Sequence, residues 1–338
     1  MTDVLSPLVS IITPTFNHEN YIGPCVESLL KQSFQNWEQV IIDDGSTDGT
    51  REQICRYTDR RVRYLHQENQ GIEALPHTYN TALGLCRGAF IAILEGDDLW
   101  PTDKLAGLMP AFDDPAVVLA YGVVGELSTD GSWDGRLTRR VRRHRKLPQS
   151  LLSNSPVGSA TKYMLAGNDL VPPSTAIIRR SALEKIGGFQ YVPGLCVTDL
   201  PTFLHLSLEG TFHYSQQVAG FRRRHAGSVT LNHMDTILKA AREYTLDFAR
   251  NHELRLSDSD YNTIAKSWRQ VEYSSAFTEG RFQLIRRQWK PARKHFIQSA
   301  NPLYPRILLP SILGWGLSWL HCNLESTFRA FGRATIDA

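Results

Sequence analysis

Between Leu8 and Leu94 the chain alternates short, continuous apolar runs with segments of helical periodicity: LVSIIT, then Tyr21–Gln32, WEQVII, Thr47–Thr58, VRYLH, Ile72–Cys86 and FIAIL. A run such as FIAIL, apolar at every position, suits a strand covered on both faces, and strands that alternate with helices build a mostly parallel sheet. Parallel strands require a crossover between them, so their carboxyl ends share one edge, and ligands of such sheets bind beyond that edge. The residues just after each strand are therefore where chemistry is to be sought.

A further helix and strand, Lys104–Phe112 and Val117–Val124, precede a polar and strongly basic stretch from Ser128 to Lys146 that has little periodicity and reads as an inserted loop. Regular patterning returns with a strand at Ser174–Arg179 and a short helix, SALEKI, which Gly187 and Gly188 would terminate as a C-cap turn. From Leu231 onward apolar residues recur at helical spacing in one segment after another, including Ile237, Leu238, Ala241, Tyr244 and Phe248. The expected organisation is an α/β domain over 1–230 followed by a helical region over 231–338. With 338 residues and 42% hydrophobic content the chain has ample material for a packed core. Its 37 basic and 34 acidic residues leave a net charge of only +3, too little for a polycation that coats nucleic acid, so nucleic acid is not an expected partner.

The first run ends in TPTFN, where Pro14 forces an extended exit, Thr15 follows it, and Asn17 can bond a turn backbone or a ligand. No GxGxxG or GxxxxGK[ST] motif occurs, which disfavours dinucleotide-binding and P-loop chemistry. The second run ends IIDDGSTDGT and places Asp43 and Asp44 at the binding edge; an ordinary Asx-turn with Ser46 or Thr47 capping the next helix is the alternative reading. The run FIAILEGDDLW then sets Glu95, Asp97 and Asp98 together at the same edge. Clustered carboxylates repel one another, and a cation or a proton relieves that repulsion, a hard divalent ion being the obvious choice. Oxygen ligands suit Mg²⁺ or Mn²⁺, which bind one or two carboxylates together with substrate phosphates. A solvated acidic turn, with Asp98 or Asp103 capping the Lys104 helix, would explain the same residues without an ion.

Taken in order, TPTFN, IIDDGSTDGT, QENQG and ILEGDD resemble the nucleotide-binding half of the inverting family 2 glycosyltransferases, whose fold is called GT-A: a Rossmann-like, mostly parallel central sheet flanked by helices. Glu95 stands where that family's Asp-x-Asp-Asp motif has its first aspartate. The resemblance implies that Asp97 contacts the metal, that Asp43 or Asp44 meets the base, and that Pro14, Thr15, Asn17, Asn69, Gly71, Asn80, Glu95 and Gly96 line the nucleotide-sugar site. Where the family carries Ala-Arg-Asn after the NxG turn, this chain has three extra residues and reads His77, Thr78, Tyr79, Asn80. Farther on, IGGF followed by VTDLPTFLHL is similar to the stretch in which a Gly-Gly-Phe turn precedes a helix starting Glu-Asp; Thr198 takes the glutamate place and Asp199 becomes the expected catalytic base. As a first-turn residue Asp199 would serve equally as a dipole-stabilising cap. FRRRHAGSVT resembles the family's Tyr-Arg-x-His-x-x-Ser segment, which puts Arg223 on the diphosphate and His225 on the metal and leaves Arg222 and Arg224 in solvent.

The resemblance implies transfer of a sugar from a nucleoside diphosphate sugar, a UDP-sugar, to a hydroxyl of a glycan or lipid-linked acceptor in surface polysaccharide assembly. A sugar nucleotidyltransferase, or a nucleotide-sugar-binding scaffold without turnover, are the competing readings. Five widely spaced cysteines without a CxxC pair argue against a disulfide framework, and Asp3 with an early first strand argues against a signal peptide, so a cytoplasmic enzyme is expected. The run from Arg136 to Lys146 can attract an anionic surface or merely solvate a loop. ILLPSILGWGLSWLHC, from Ile307 to Cys322, is too short to span a bilayer; it reads as an interfacial helix on an anionic membrane or as a helix packed on the α/β domain or on a second subunit of a homo-oligomer.

Overall fold

The computed structural model describes residues 7–322 except 128–130, 134–143, 145, 169, 224, 226–233, 253 and 255. The basic run expected at 136–146 falls outside the described residues apart from His144 and Lys146, as does Arg224. The chain divides into two compact units, Met1–His225 and Ala226–Ala338, ahead of the residue-230 boundary expected from sequence.

The first unit is built on a seven-stranded sheet with strands β1 (Val9–Thr15), β2 (Trp37–Asp43), β3 (Val62–His66), β4 (Phe90–Ile93), β5 (Val117–Glu126), β6 (Ile177–Arg179) and β7 (Thr211–Arg222), in the spatial order β3-β2-β1-β4-β6-β5-β7. All pairings are parallel except those of β6, which runs antiparallel to both β4 and β5. The strands predicted from apolar runs are present. β7 was not anticipated, because TFHYSQQVAGFR mixes exposed polar residues with buried ones and gives neither a clean alternation nor a continuous apolar run.

Every residue of β1 and of β2 is buried, which is the two-sided covering that their apolar runs demand. On one face, helix α1 (Ile22–Leu30) lays Ile22, Cys25, Val26 and Leu29, spaced i, i+3, i+4 and i+7, against Val9, Ile11, Ile41 and Ala92. Each such fully buried aliphatic side chain contributes roughly 1.5–3 kcal/mol. Helix α2 covers only Thr50–Ile54, and neither Ser46 nor Thr47 caps it. Glu19 instead accepts from the Gly49 amide at 2.9 Å and Asp48 from the Thr50 amide at 3.0 Å, which satisfies the start of the helix from the neighbouring loop. Helix α3 (Leu75–Leu85) follows a short 3₁₀ turn at Ile72–Ala74. Helices α4 (Lys104–Leu108), α5 (Gln149–Leu152), α6 (Ser159–Leu165), α7 (Arg180–Lys185) and α8 (Asp199–Leu206) complete this unit. Gly187 and Gly188 end α7 as the sequence predicts: with φ of 85° and 89°, they return their amides to the carbonyls of Glu184 and Leu183.

The second unit consists of helices α9 (Met234–Asn251), α10 (Asp258–Ile285), α11 (Trp289–Ser299) and α12 (Pro305–Trp319). A reciprocal cap starts α10, in which Ser257 Oγ accepts from the Asp260 amide at 3.1 Å and Asp260 Oδ2 accepts from the Ser257 amide at 2.9 Å. Its small core contains Leu284, Ala292 and Phe296. The Phe296 ring lies so close to Gly280 of α10 and Gly314 of α12 that a methyl group at either would fall within 3.0 Å of it. Among the described residues no helix is long and apolar enough to cross a membrane. All five cysteines are free thiols.

One buried carboxylate ties the edge of the first sheet to the turn before β4. Glu38 accepts from Ser10 Oγ at 2.8 Å, from the Arg87 backbone and guanidinium, and from Arg63 at 3.0 Å. Burial alone would push its pKa up, but the bonds from Arg87, Ser10 and Arg63 outweigh that and hold it below the usual glutamate range. A depressed folded pKa contributes stability above the unfolded value, about 4.3, and loses it as pH falls through the lower folded value. Glu38→Gln should therefore be destabilised by about 1–3 kcal/mol at pH 7 in urea titrations, and the gap to the parent protein should close at pH values well below 4.

Candidate active site

The carboxyl ends of β1, β2, β4, β5 and β7 meet at one edge, and the reversed β6 begins there. At the end of β1, Pro14 is buried and its carbonyl accepts from the Gly96 amide at 3.1 Å, while Thr15 Oγ1 lies 3.1 Å from His18 Nδ1. Asn17 holds a left-handed backbone (φ 53°) and stitches two loops together: its amide donates to Ser46 Oγ at 2.9 Å and its Oδ1 accepts from the Thr47 amide at 2.8 Å. Ser46 is thereby spent on Asn17 and not on a helix cap.

At the end of β2 the two aspartates part ways. Asp43 is fully buried; it accepts from the Ser46 amide at 2.9 Å and from Tyr64 Oη at 2.8 Å, with His66 Nδ1 at 3.5 Å. Asp44 is half-exposed and accepts from Gln67 Nε2 at 2.6 Å and the Gln70 amide at 3.1 Å. Asn69 donates to the Asp44 carbonyl at 2.8 Å and accepts from Gly71, whose φ of 77° leaves open space where a side chain would be. Asp43 therefore organises the loop, and Asp44, Asn69 and Gly71 form its accessible face.

The acidic cluster after β4 lies at the centre of the edge. Glu95, Asp97 and Asp98 bring carboxylate oxygens within 4.8 Å of one another, and His18, Asp97 and His225 do the same with ligand atoms on the other side of Asp97. Gly96 is required between them, because a Cβ there would lie 2.7 Å from Thr15 Oγ1 and 2.9 Å from His18 Nδ1. The three carboxyls have been driven to different states. Burial, with the charges of Asp98 and Asp97, pushes Glu95 well above the ordinary carboxylate range. Burial and Asp97 push Asp98 up to about 7, against the bonds from Ser174 and the Arg223 amide. Asp97 meets the same burial, but the hydrogen bond with His225 holds it low. Asp97 is thus the ionised member, with His225 Nε2 3.0 Å from its Oδ2. Asp98 is fixed from two sides by Ser174 Oγ and by the Arg223 amide at 3.0 Å, and neither it nor Asp103 makes a side-chain cap on α4.

Arg223 and His225 arrive here from far along the sequence. Leu99, just past the cluster, pairs in both directions with Phe221 near the end of β7, at 3.0 and 2.8 Å, and this bridge delivers the next residues to the carboxylates. Arg223 Nε donates to the Asp97 carbonyl at 3.2 Å, and its guanidinium lies 5.0 Å from the centre of the Tyr21 ring. Its terminal amino groups have no partner among the described residues, a planar donor fork suited to phosphate oxygens. Arg222 pairs instead with Glu126 at 3.4 Å.

Asn80 spends both ends of its side-chain amide on the turn after α7. Its amide grips the backbone of Phe189 in both directions, at 2.8 and 2.9 Å, and so pins the turn after α7 to α3. Phe189 stacks on Tyr79, ring centres 4.8 Å apart, and Tyr79 Oη donates to Glu95 at 3.3 Å. Asp199 stands half-buried in the first turn of α8, its Oδ1 accepting from the Leu200 amide at 2.8 Å. Its charge contributes to raising both Glu95 and Tyr79, so it belongs electrostatically to the acidic cluster.

Sequence reasoning missed His18 and Tyr21. His18 lies within ligand reach of Asp97 and His225, burial holds its pKa down, and Tyr21 packs 4.7 Å from the His225 ring. The available signal was their place directly after TPTFN, on the loop leaving β1. A neutral imidazole beside an ionised carboxylate and a second histidine is a competent divalent-cation donor set, so Asp97, His225 and His18 fit the metal that the acidic motif implies.

A family model described as glycosyl transferase family 2 matches residues 10–187. Over 128 residues the chain is 35% identical to a putative teichuronic acid biosynthesis glycosyltransferase, TuaG, of Bacillus subtilis, covering 37% of this chain and 50% of that protein. Over 98 residues it is 41% identical to the UDP-Glc:alpha-D-GlcNAc-diphosphoundecaprenol beta-1,3-glucosyltransferase WfgD of Escherichia coli, covering 29% and 38%. The chain thus spans half or less of the length of these two relatives. Its fold matches that of S. aureus TarS 1-349 in complex with UDP-GlcNAc, with TM-score 0.57, 19% identity and coverage of 96% and 92%. It also matches the mannosyltransferase PcManGT from Pyrobaculum calidifontis in complex with GDP-Man and Mn²⁺, with TM-score 0.53, 19% identity and coverage of 97% and 80%. At such identities the likeness is one of fold, and that fold is GT-A.

Two adjacent glycines test the Asn80 clasp. Both have positive φ, so alanine at either costs roughly 1–2 kcal/mol in backbone strain. A Cβ on Gly187 meets nothing within 4 Å, whereas one on Gly188 would lie 2.5 Å from Asn80 Oδ1. Gly188→Ala should lose about 1 kcal/mol or more beyond Gly187→Ala in denaturant titrations, through the broken bonds to Phe189.

Proposed function

Since the chain belongs to glycosyl transferase family 2, we propose that it transfers a sugar, with inversion, from a UDP-sugar to a hydroxyl of a glycan or lipid-linked acceptor, in the cytoplasm, in surface polysaccharide assembly. The observation that carries this reading is the convergence, at one sheet edge, of an ionised Asp97, the donor fork of Arg223 and the carboxylate of Asp199. The chain's similarity to a putative teichuronic acid biosynthesis glycosyltransferase and to a glucosyltransferase that uses UDP-Glc supports the substrate class.

In this reading Asp44, Asn69 and Gly71 hold the nucleoside, and Arg223 binds the diphosphate. Asp97 and His225, with His18, would hold Mg²⁺ or Mn²⁺. Such a cation, when bound, offsets the charge that builds on the departing diphosphate. Glu95, whose pKa burial and its acidic neighbours drive well up, faces the ribose or the metal through water. Asp199 accepts the proton of the acceptor hydroxyl as the new bond to the anomeric carbon forms, and a single displacement on the face opposite the nucleotide inverts that centre.

In Asp199→Asn the side chain keeps its shape but cannot accept a proton at neutral pH. Acceptor-dependent release of nucleoside diphosphate should fall by about 10²-fold or more, with donor affinity and melting temperature little changed. A near-normal rate at saturating acceptor would leave Asp199 as a helix-start residue only. Asp97→Asn should abolish Mn²⁺-dependent binding of a nucleoside diphosphate in calorimetry, and unchanged binding would overturn the metal assignment.

A further inference from the structure

Helix α12 is amphipathic in the wrong sense for water. Its buried positions, Ser311, Gly314 and Ser318, are small and fall at i, i+3 and i+7; Gly314 meets the Phe296 ring and Ser311 Oγ lies 2.7 Å from Ser299 Oγ. The opposite side carries the large apolar residues: Leu309 is 70% exposed, Ile312 and Leu313 each 53%, and Leu320, just past the helix, 73%. On a straight helix 309, 312, 313 and 320 share one stripe, diametrically across from 311, 314 and 318. Trp315 and Trp319, 41% and 58% exposed, flank that stripe with ring centres 6.2 Å apart. A helix facing only water would place these side chains inward, because a contiguous apolar patch of this kind is costly to leave hydrated.

The charges around the patch select its occupant. From Gly280 to Leu324 the sequence contains seven Arg or Lys residues and no Asp or Glu. Arg286, Arg287, Lys290, Lys294 and Arg306 are exposed, and the Arg293 guanidinium lies 4.0 Å from the centre of the Trp319 ring. Self-association through this face would bring like charges together in a symmetric interface, since the same patch meets itself. An anionic lipid surface complements both parts at once: acyl chains take the apolar stripe, tryptophans suit the headgroup boundary, and the basic residues meet the phosphates.

We propose that α12, with the basic residues of α11 and its flanks, docks the protein in the plane of an anionic bilayer. This does not rest on the glycosyl-transfer reading. It is tested with the full chain and vesicles of phosphatidylcholine with or without about one-third phosphatidylglycerol. The protein should float with the anionic vesicles at low salt, not with the neutral ones, and 0.5 M salt should weaken the association. Leu309→Glu with Leu313→Glu should raise the lipid concentration for half-binding by more than about tenfold, and so should Lys290→Glu with Lys294→Glu. These positions are exposed, so melting temperature serves as the control for folding. A measurement on the unaltered protein stands beside the variants: brominated lipid should quench tryptophan fluorescence, and Trp315→Phe with Trp319→Phe should remove most of that quenching. Absence of flotation, flotation indifferent to the glutamate pairs, or failure of brominated lipid to quench would each overturn the proposal. A vesicle-free oligomer in sedimentation that the Leu309→Glu, Leu313→Glu pair dissociates would also overturn it and assign the face to a second copy.

Discussion

Three carboxylates follow β4 within four residues, and most of the first unit's binding edge is arranged around their mutual repulsion. Left alone, Glu95, Asp97 and Asp98 would not share a buried site in their ionised forms. The structure answers by treating each differently. Glu95 accepts from Tyr79 and has its pKa driven up, Asp98 is gripped by Ser174 and the Arg223 backbone, and Asp97, between two histidines, is held low. Each of these partners belongs to a different element, so the cluster acts as a keystone for α3, the start of β6 and the end of β7.

A second layer lies under the first. Ser174 also receives, at its carbonyl, Trp100 Nε1 at 2.7 Å and Lys104 Nζ at 3.0 Å, and Lys104 sits over the Trp100 ring. Lys104 is buried, and that burial drives its pKa well down although the charge of Asp98 pulls the other way. The amine is thereby spent as a hydrogen-bond donor to a carbonyl and is not a fixed counter-charge for the carboxylates above it.

The first half of the sheet was legible in sequence because β1, β2 and β4 are largely buried and the carboxylates follow β2 and β4 directly, although the sequence left Asp43 and Asp44 as alternatives. What the sequence concealed came from long-range contacts. The Leu99–Phe221 bridge that seats Arg223 and His225 joins positions more than a hundred residues apart, and β7 has no apolar pattern to announce it. Asn80 appears to the eye as a polar residue near a nucleotide motif, yet its amide is consumed by Phe189, a partner that only the folded chain supplies. Ser46 and Thr47 were plausible helix caps by residue type, but the β1 loop reached their turn first through Asn17. The inverted polarity of α12 was hidden as well, since its apolar content is visible in sequence but the side that faces Phe296 is not.

The reversed strand β6 has a topological effect of its own. Because β5 runs parallel to β4 and β6 runs against both, the end of β5 at Glu126 and the approach to β6 at Ser174 lie at the same edge of the sheet. Between them the chain visits the other end of β7, where the Ser153 carbonyl accepts from the Phe212 amide at 2.8 Å and Asn154 donates to the carbonyls of Ser207 and Gly210. A segment anchored in this way ties the two ends of β7 to different parts of the chain: the residues leading into the strand are held by Asn154, and its last residues by Leu99.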